Sequence, residues 1–350
     1  MKKYIFLLIM IFSLSLNAAE EMDVNYSAAG SAIPSNIKSQ HEWRDIISHS
    51  MYTGNLHNIS LLLQSGVSTK NALQGLIYAV QFLMERIGNL PEPELTQLTR
   101  AQYILHSILQ YKPNINESGD DGGYTPLSLA SMFGVFPIAK TLISLGADVN
   151  LGSNEEGYPI TNVQVDNHLG VLEKSFEIFK LLISVGVDIN KQDDRGSLLL
   201  KTADKLTNNY QAEKQTIRKK IMYLLLLNGA DLELGTRNMT FYNYLNVPNV
   251  KEVVDEFIKA ILNANNFDQI KGAENALLIA AYSNNTDLVD QLLRKGVRFR
   301  SEKNEKYFNN LITGKPEMHE VVKQYKKDLS SAISEPTGFI PDLTNIVARY

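Results

Sequence analysis

The stretch Gly123-Tyr124-Thr125-Pro126-Leu127-Ser128-Leu129-Ala130, continued by Ile138-Ala139-Lys140-Thr141-Leu142-Ile143-Ser144-Leu145-Gly146-Ala147-Asp148-Val149-Asn150, decides how the rest of the chain is read. Thr125 suits a helix N-cap, because its hydroxyl accepts from an otherwise unpaired backbone N–H, and Pro126 fits the first helical turn. Leu127, Leu129 and Ala130 form a short apolar stripe, and Gly134 ends it. Ile138, Leu142 and Ile143 share one face of a second helix. Gly146 suits the left-handed residue that closes that helix, and Asp148 and Asn150 favour the turn that follows. The expected unit is a helix, a tight turn, an antiparallel helix and a projecting loop.

The ending recurs. It is found as Leu63-Gln64-Ser65-Gly66-Val67, as Leu182-Ile183-Ser184-Val185-Gly186-Val187-Asp188-Ile189-Asn190, as Leu226-Leu227-Asn228-Gly229-Ala230-Asp231 and as Leu292-Leu293-Arg294-Lys295-Gly296-Val297. Weaker copies stand at Gln110-Tyr111-Lys112-Pro113-Asn114-Ile115-Asn116 and near Ile261-Leu262-Asn263-Ala264. Gly146, Gly186, Gly229 and Gly296 are 40, 43 and 67 residues apart. A period of about 33 residues, once or twice per gap, accounts for these spacings only if some repeats carry insertions. The candidates lie between Gly88 and Leu98, between Asn162 and Lys174, and between Leu206 and Arg218.

These motifs resemble the ankyrin repeat, whose helix start reads Thr-Pro-Leu-His-x-Ala and whose end reads Gly-Ala-Asp-Val-Asn. Ser128 stands where the family has His, so one inter-loop hydrogen bond is expected to be missing. The resemblance implies an all-α solenoid of helix-turn-helix repeats with finger loops, about seven repeats plus a helical C-terminal cap. Residues 41–300 are read as the solenoid. Residues 301–331 are read as a cap or diverged repeat, with Tyr307, Leu311 and Ile312 lining its first helix and Val321, Val322 and Tyr325 its second. An end cap is required physically, since the last repeat would otherwise bare its apolar face. Residues 332–350 contain the apolar, proline-bearing run Gly338-Phe339-Ile340-Pro341-Asp342-Leu343, which fits no repeat. It either packs on the cap or meets a partner.

Residues 1–19 read as a signal peptide: Lys2 and Lys3, an apolar run of about 13 residues, then Ala18-Ala19 for cleavage. A spanning helix would need about 20 apolar residues, so a membrane anchor is the weaker reading and no transmembrane segment is expected in the mature chain. Residues 20–40 are polar and are read as a flexible lead-in. There is no cysteine, which excludes disulfides, thiolate metal sites and lipid attachment through cysteine. The net charge of −4 gives no basic field to draw in nucleic acid. The expected location is the periplasm, with secretion as the second reading.

No catalytic constellation stands out, and the chain is expected to have no enzymatic activity, cofactor or metal site. His41, His49 and His57 are eight residues apart, which does not place them together as metal ligands on one helix face. His106, His168 and His319 are isolated.

The resemblance implies that a protein partner would bind the fingers and the first helix of each repeat. This places candidate contacts at Tyr124 and Tyr158 before the Pro-containing starts. It adds Tyr52, Met132 with its neighbour Phe133, and Tyr282, all near first-helix ends. The fingers also carry the acid pairs Asp120-Asp121, Glu155-Glu156 and Asp193-Asp194. These would form a negative ridge with about 10 Å between layers, unless they are merely solvated turn residues. By likeness to exported bacterial ankyrin-repeat proteins, the leading functional reading is an immunity or accessory protein. It would bind and neutralise a toxin enzyme, such as a type VI secretion lipase encoded nearby. A secreted effector that binds host proteins, and a periplasmic scaffold in stress defence, are the alternatives.

Overall fold

The computed structural model describes residues 40–53, 55–64, 71–84, 94–118, 123–166, 169–207, 212–236 and 239–334. The signal-peptide reading, the lead-in before residue 40, the ending at Gly66, the acid pair Asp120-Asp121 and the tail beyond residue 334 lie outside them. The chain divides into two compact units, Met1–Leu198 and Leu199–Tyr350.

The first unit contains α1 (Gln40–Thr53), α2 (His57–Gln64), α3 (Ala72–Met84), α4 (Glu94–Gln110), α5 (Pro126–Met132), α6 (Phe136–Ser144) and α7 (Leu169–Ser184). It ends in a small antiparallel hairpin, β1 (Gln192–Asp193) with β2 (Gly196–Ser197), in which Gln192 faces Ser197. First helices pack on first helices, α1 on α3 and α3 on α5. Second helices form their own row, α2 on α4, α4 on α6 and α6 on α7. Trp43, Ile47, Ile59, Leu76, Ile104, Leu142 and Phe179 fill the space between the rows and are buried.

The second unit contains α8 (Leu198–Leu206), α9 (Ala212–Leu227), a 3-10 turn at Phe241–Tyr244, and α10 (Pro248–Asn263). A second 3-10 turn (Phe267–Gln269), α11 (Ala273–Tyr282), α12 (Thr286–Lys295), α13 (Glu302–Ile312) and α14 (Pro316–Ser334) follow. The same two rows recur, α11 on α13 and α9 on α10, α10 on α12, α12 on α14.

The local chemistry read from residues 123–150 is present. Thr125 Oγ1 accepts from Ser128 N at 3.1 Å, and Pro126 occupies the first turn of α5. Gly134 and Gly146 take φ of +68° and +89°, the left-handed region that side chains resist. At the four clear endings among the described residues, the residue after the glycine donates to the carbonyl five residues back: Ala147 to Leu142, Val187 to Leu182, Ala230 to Leu225 and Val297 to Leu292, at 2.9–3.1 Å. This Schellman closure satisfies carbonyls the helix leaves open, and the donor's small apolar side chain is buried each time. Two non-glycine residues hold equivalent positions. Lys112 has φ +50° at the weak ending after α4, and Asn284 has φ +53° after Tyr282.

Three features differ from the sequence reading. The candidate insertion between Asn162 and Lys174 opens inward: Ile160, Thr161, Asn162, Val163 and Val165 are buried, while Asp166, Gly170 and Glu173 are exposed. This irregular stretch stands where the fourth repeat would have its first helix, and Asn162 Nδ2 donates to the Glu156 carbonyl at 3.0 Å to hold it. The extra length is instead in helices. α7 and α9 have 16 residues each, against 9 in α6, so most of the stretch from Leu206 to Arg218 lengthens α9. In the last pair the buried side chains are Phe308 and Ile312 on α13 and Met318 and Val322 on α14, whereas Tyr307, Leu311, Val321 and Tyr325 are half-buried.

Hydrogen bonds between repeats supply what no single repeat shows. Asn116 Oδ1 accepts from Asp148 N at 2.9 Å, and Asn150 Oδ1 accepts from Asp188 N at 2.8 Å. In these two endings one asparagine therefore receives the backbone of the next ending. Within each ending a carboxylate or amide at the previous turn position accepts in the same way: Asn114 from Asn116 N, Asp148 from Asn150 N, Asp188 from Asn190 N, and Asp231 from Glu233 N. Ser128 turns back on its own turn, donating to the Thr125 carbonyl at 2.9 Å. One repeat earlier, Gln74 Nε2 reaches the Glu117 carbonyl at 2.9 Å and so makes a bond to the next loop.

Candidate protein-binding face

In the first unit the finger loops are tied to one another. Ser153 and Gly157 form an isolated bridge that shapes one finger, and the β1–β2 hairpin is the next. Asp194 N donates to the Asn154 carbonyl at 2.9 Å, joining the two. Tyr124, from the preceding finger, is half-buried and hydrogen-bonds Glu156 through its hydroxyl. Its phenol is pushed up to about 12, first by burial, then by the bond to Glu156 and its charge, with Arg195 opposing. Tyr124 and Glu156 thus join two successive loops, and the Arg195 charge on the third lies near enough to act on the Tyr124 phenol.

The acid pairs do not make a uniform ridge. Glu155 and Asp194 are exposed and Glu156 is half-buried, but Asp193 is buried, which corrects its reading as a solvent-facing acid. Its carboxylate turns inward to accept from Arg195 N at 2.9 Å and faces the Arg195 guanidinium at 3.3 Å. That closes the hairpin turn in place of a contribution to an external field. Tyr158 is also engaged. Its hydroxyl donates to Asn154 Oδ1 at 3.1 Å, and Lys191 Nζ lies 4.8 Å from its ring centroid.

Beside the fingers runs an aromatic row. His41 on α1 stacks with Tyr78 on α3 at 6.1 Å, and Tyr78 meets Phe133, the residue that closes α5, at 5.4 Å. Tyr78, Met132 and Phe133 are half-buried and His41 is exposed, so the row presents ring surface. Tyr124 lies close enough to Tyr78 to feel its phenol. Sequence reasoning missed Tyr78. The available signal was its place: it is the seventh residue of α3, as Met132 is of α5. The backbone of Tyr52 lies in α1, and its side chain lies outside the described residues.

In the second unit Tyr282 is 42% exposed and stacks face to face on Tyr242 at 4.4 Å. Tyr242 is buried and also meets Tyr307 at 5.8 Å. Burial, then Tyr307 and the carboxylates Glu233 and Asp231, raises the Tyr242 phenol far above its usual range. Lys303 sits on the acids, 2.6 Å from Asp231 and 3.8 Å from Glu233. Burial raises the Glu233 carboxyl, and the Lys303 charge opposes the rise. Tyr282 therefore has one face packed and the other open. Among the described residues no group of three or more His, Asp or Glu is placed to hold a metal ion, and no helix is long and apolar enough to cross a membrane.

Residues 122–154 match the ankyrin repeat family model. The solved structures include the ankyrin repeat domain of human ASB11. It is 16% identical, with 73% of this chain and 85% of that one covered and a TM-score of 0.37. No curated protein sequence matches. The chain carries an ankyrin repeat and, as an all-α protein of stacked helix pairs, resembles ankyrin-repeat proteins. The ankyrin repeat is a protein–protein interaction module, typically a non-catalytic scaffold.

Proposed function

We propose that this chain is an exported binding protein that uses its fingers and first-helix ends to cover and neutralise a toxin enzyme. A lipase of the type VI secretion class, encoded nearby, is the first partner to test. The observation that carries the binding reading is the row of exposed His41 and half-buried Tyr78 and Phe133 beside the fingers that hold Tyr124, Glu156 and Arg195. Aromatic side chains dominate interface energetics, and groups already held by their neighbours lose little entropy on docking. The charged start and apolar run of residues 1–19 support export. Likeness to exported bacterial ankyrin-repeat proteins supports the choice of enzyme class.

The test is a periplasmic pull-down with the product of the neighbouring gene, together with inhibition of its hydrolytic activity. Wild type should capture and inhibit the enzyme one to one. Phe133→Ala and Tyr124→Ala should each weaken capture at least tenfold. Tyr158→Ala should weaken it less, since Lys191 already covers that ring. Capture without inhibition would retain a binding function but sink neutralisation. Equal capture by all variants would remove this face from the reading.

A further inference from the structure

The second helices of the first unit end on a repeated exposed residue. Tyr111 after α4, Leu145 after α6 and Val185 after α7 each stand immediately before the left-handed residue of the ending, Lys112, Gly146 or Gly186. They are 44%, 51% and 44% exposed. Each is set by its own helix: Tyr111 N donates to the Ile108 carbonyl, Leu145 N to Thr141 and Val185 N to Leu181, at 3.0–3.2 Å. The asparagine rungs from Asn116 to Asp148 and from Asn150 to Asp188 join the same three endings, so the three side chains stand in a fixed row. The helix end does not itself call for an apolar residue here. At the corresponding places in the second unit, before Gly229 and Gly296, stand Asn228 and Lys295. One exposed apolar residue needs no explanation, but a row of them at one position in adjoining layers marks an interaction surface.

The row carries charge along part of its length. Asp148 and Asp188 follow Leu145 and Val185 by three residues and are exposed. Each spends Oδ1 on its own turn, accepting from Asn150 N at 2.8 Å and Asn190 N at 3.0 Å, which fixes the carboxylate beside the apolar residue. After Tyr111 the same place holds the neutral Asn114, and Lys112 is exposed next to it. Lys140 and Lys180 lie more than a helical turn before Leu145 and Val185, and Lys180 is paired with Glu177 at 2.7 Å. The acid is thus confined to the Leu145 and Val185 end. We propose that this row binds a basic amphipathic helix of a partner protein, with Lys or Arg beside the anchors that meet Leu145 and Val185. Spacing selects a helix. Packed helices lie about 8–10 Å apart, so the row repeats at about that distance. A strand brings residues of one face round at about 7 and 13 Å, whereas a helix brings i and i+7 round at about 10.5 Å. Three anchors at i, i+7 and i+14 need about 15 helical residues. The row shares no residue with the finger face of Tyr124, Glu156 and Phe133, so either contact can fail alone.

The probe is a fluorescein-labelled synthetic helix of about 18 residues, with leucines at seven-residue spacing and arginines beside the second and third. In anisotropy titrations with the full chain, Leu145→Ser combined with Val185→Ser should weaken its binding at least about tenfold. Asp148→Asn combined with Asp188→Asn keeps the Oδ1 acceptor of each turn, so circular dichroism and the melting temperature should hold. Affinity should nonetheless fall at least about threefold, and its dependence on salt should lessen. A peptide with glutamates in place of the arginines should bind at least about tenfold more weakly. Tyr124→Ala should leave the affinity unchanged. No measurable binding would overturn the proposal, and so would equal binding by the Leu145→Ser, Val185→Ser chain. Equal binding of a peptide of the same composition with leucines five residues apart would overturn it too, because those leucines share no face. A dimer in analytical ultracentrifugation that the two serines dissolve would replace the helix with a second copy of the chain.

Discussion

Replacing Asn150 by alanine removes the acceptor for Asp188 N, a bond of 2.8 Å between two successive endings. The bond is exposed, so the freed N–H finds water and the loss is a net hydrogen bond, about 1 kcal/mol. The turn inside the ending survives, because Asn150 N still donates to Asp148 Oδ1. Asn116→Ala removes the preceding rung, to Asp148 N, at similar cost. The two rungs share no partner atom, so the double variant should lose about 2 kcal/mol, near the sum. Asn150→Asp keeps an acceptor but brings a charge toward Asp148 and Asp188, and should lose about half of what alanine loses. The readout is built in. Trp43, the chain's single tryptophan, is buried in α1, so its fluorescence in urea follows the unit that contains both rungs. An Asn150→Ala variant within about 0.3 kcal/mol of wild type would refute the ladder as a source of stability. An aspartate as costly as alanine would show that the acceptor is not what matters.

Lys112→Gly should stabilise the first unit by up to about 1 kcal/mol in the same urea titration, since φ +50° strains lysine and not glycine. Gly272→Ala should destabilise the second unit by more than about 2 kcal/mol, read by thermal melting. A Cβ there would overlap the Leu226 carbonyl oxygen, which is backbone and cannot swing aside. The Tyr124 phenol is raised above its unfolded value of 10, so its contribution to stability is complete below pH 10 and fades as pH climbs toward 12. Glu156→Gln should move its titration down toward 10 without reaching it, because burial, the largest cause, remains; tyrosinate absorbance referenced to Tyr124→Phe measures this.

The repeat was legible because its signals are local. Thr125, Pro126, Gly134 and Gly146 act within one or two turns of themselves, and the structure places each where its own chemistry demands. The extra spacing was legible only as a number. Whether added residues form a loop or lengthen a helix depends on what they pack against, and α7 and α9 gained length as helix. The fourth repeat misled for a related reason: Ile160, Val163 and Val165 are apolar and buried, yet their backbone is irregular, with side-chain bonds such as that of Asn162 replacing the helical ladder. The acid pairs showed a limit of composition. Two adjacent aspartates look alike in sequence, while Asp193 faces inward and Asp194 outward. The aromatic row joins residues from three helices, so Tyr78 gained meaning only once His41 and Phe133 stood beside it.

The asparagine rungs have a consequence for how such a chain changes over time. One spans 32 residues and the other 38, yet their lengths are 2.9 and 2.8 Å. Each joint grips only two turn positions and is blind to what is threaded between them. A segment added inside one repeat is absorbed there, and the next repeat starts from an unaltered datum. Variation can accumulate within a layer without misaligning the fingers that follow.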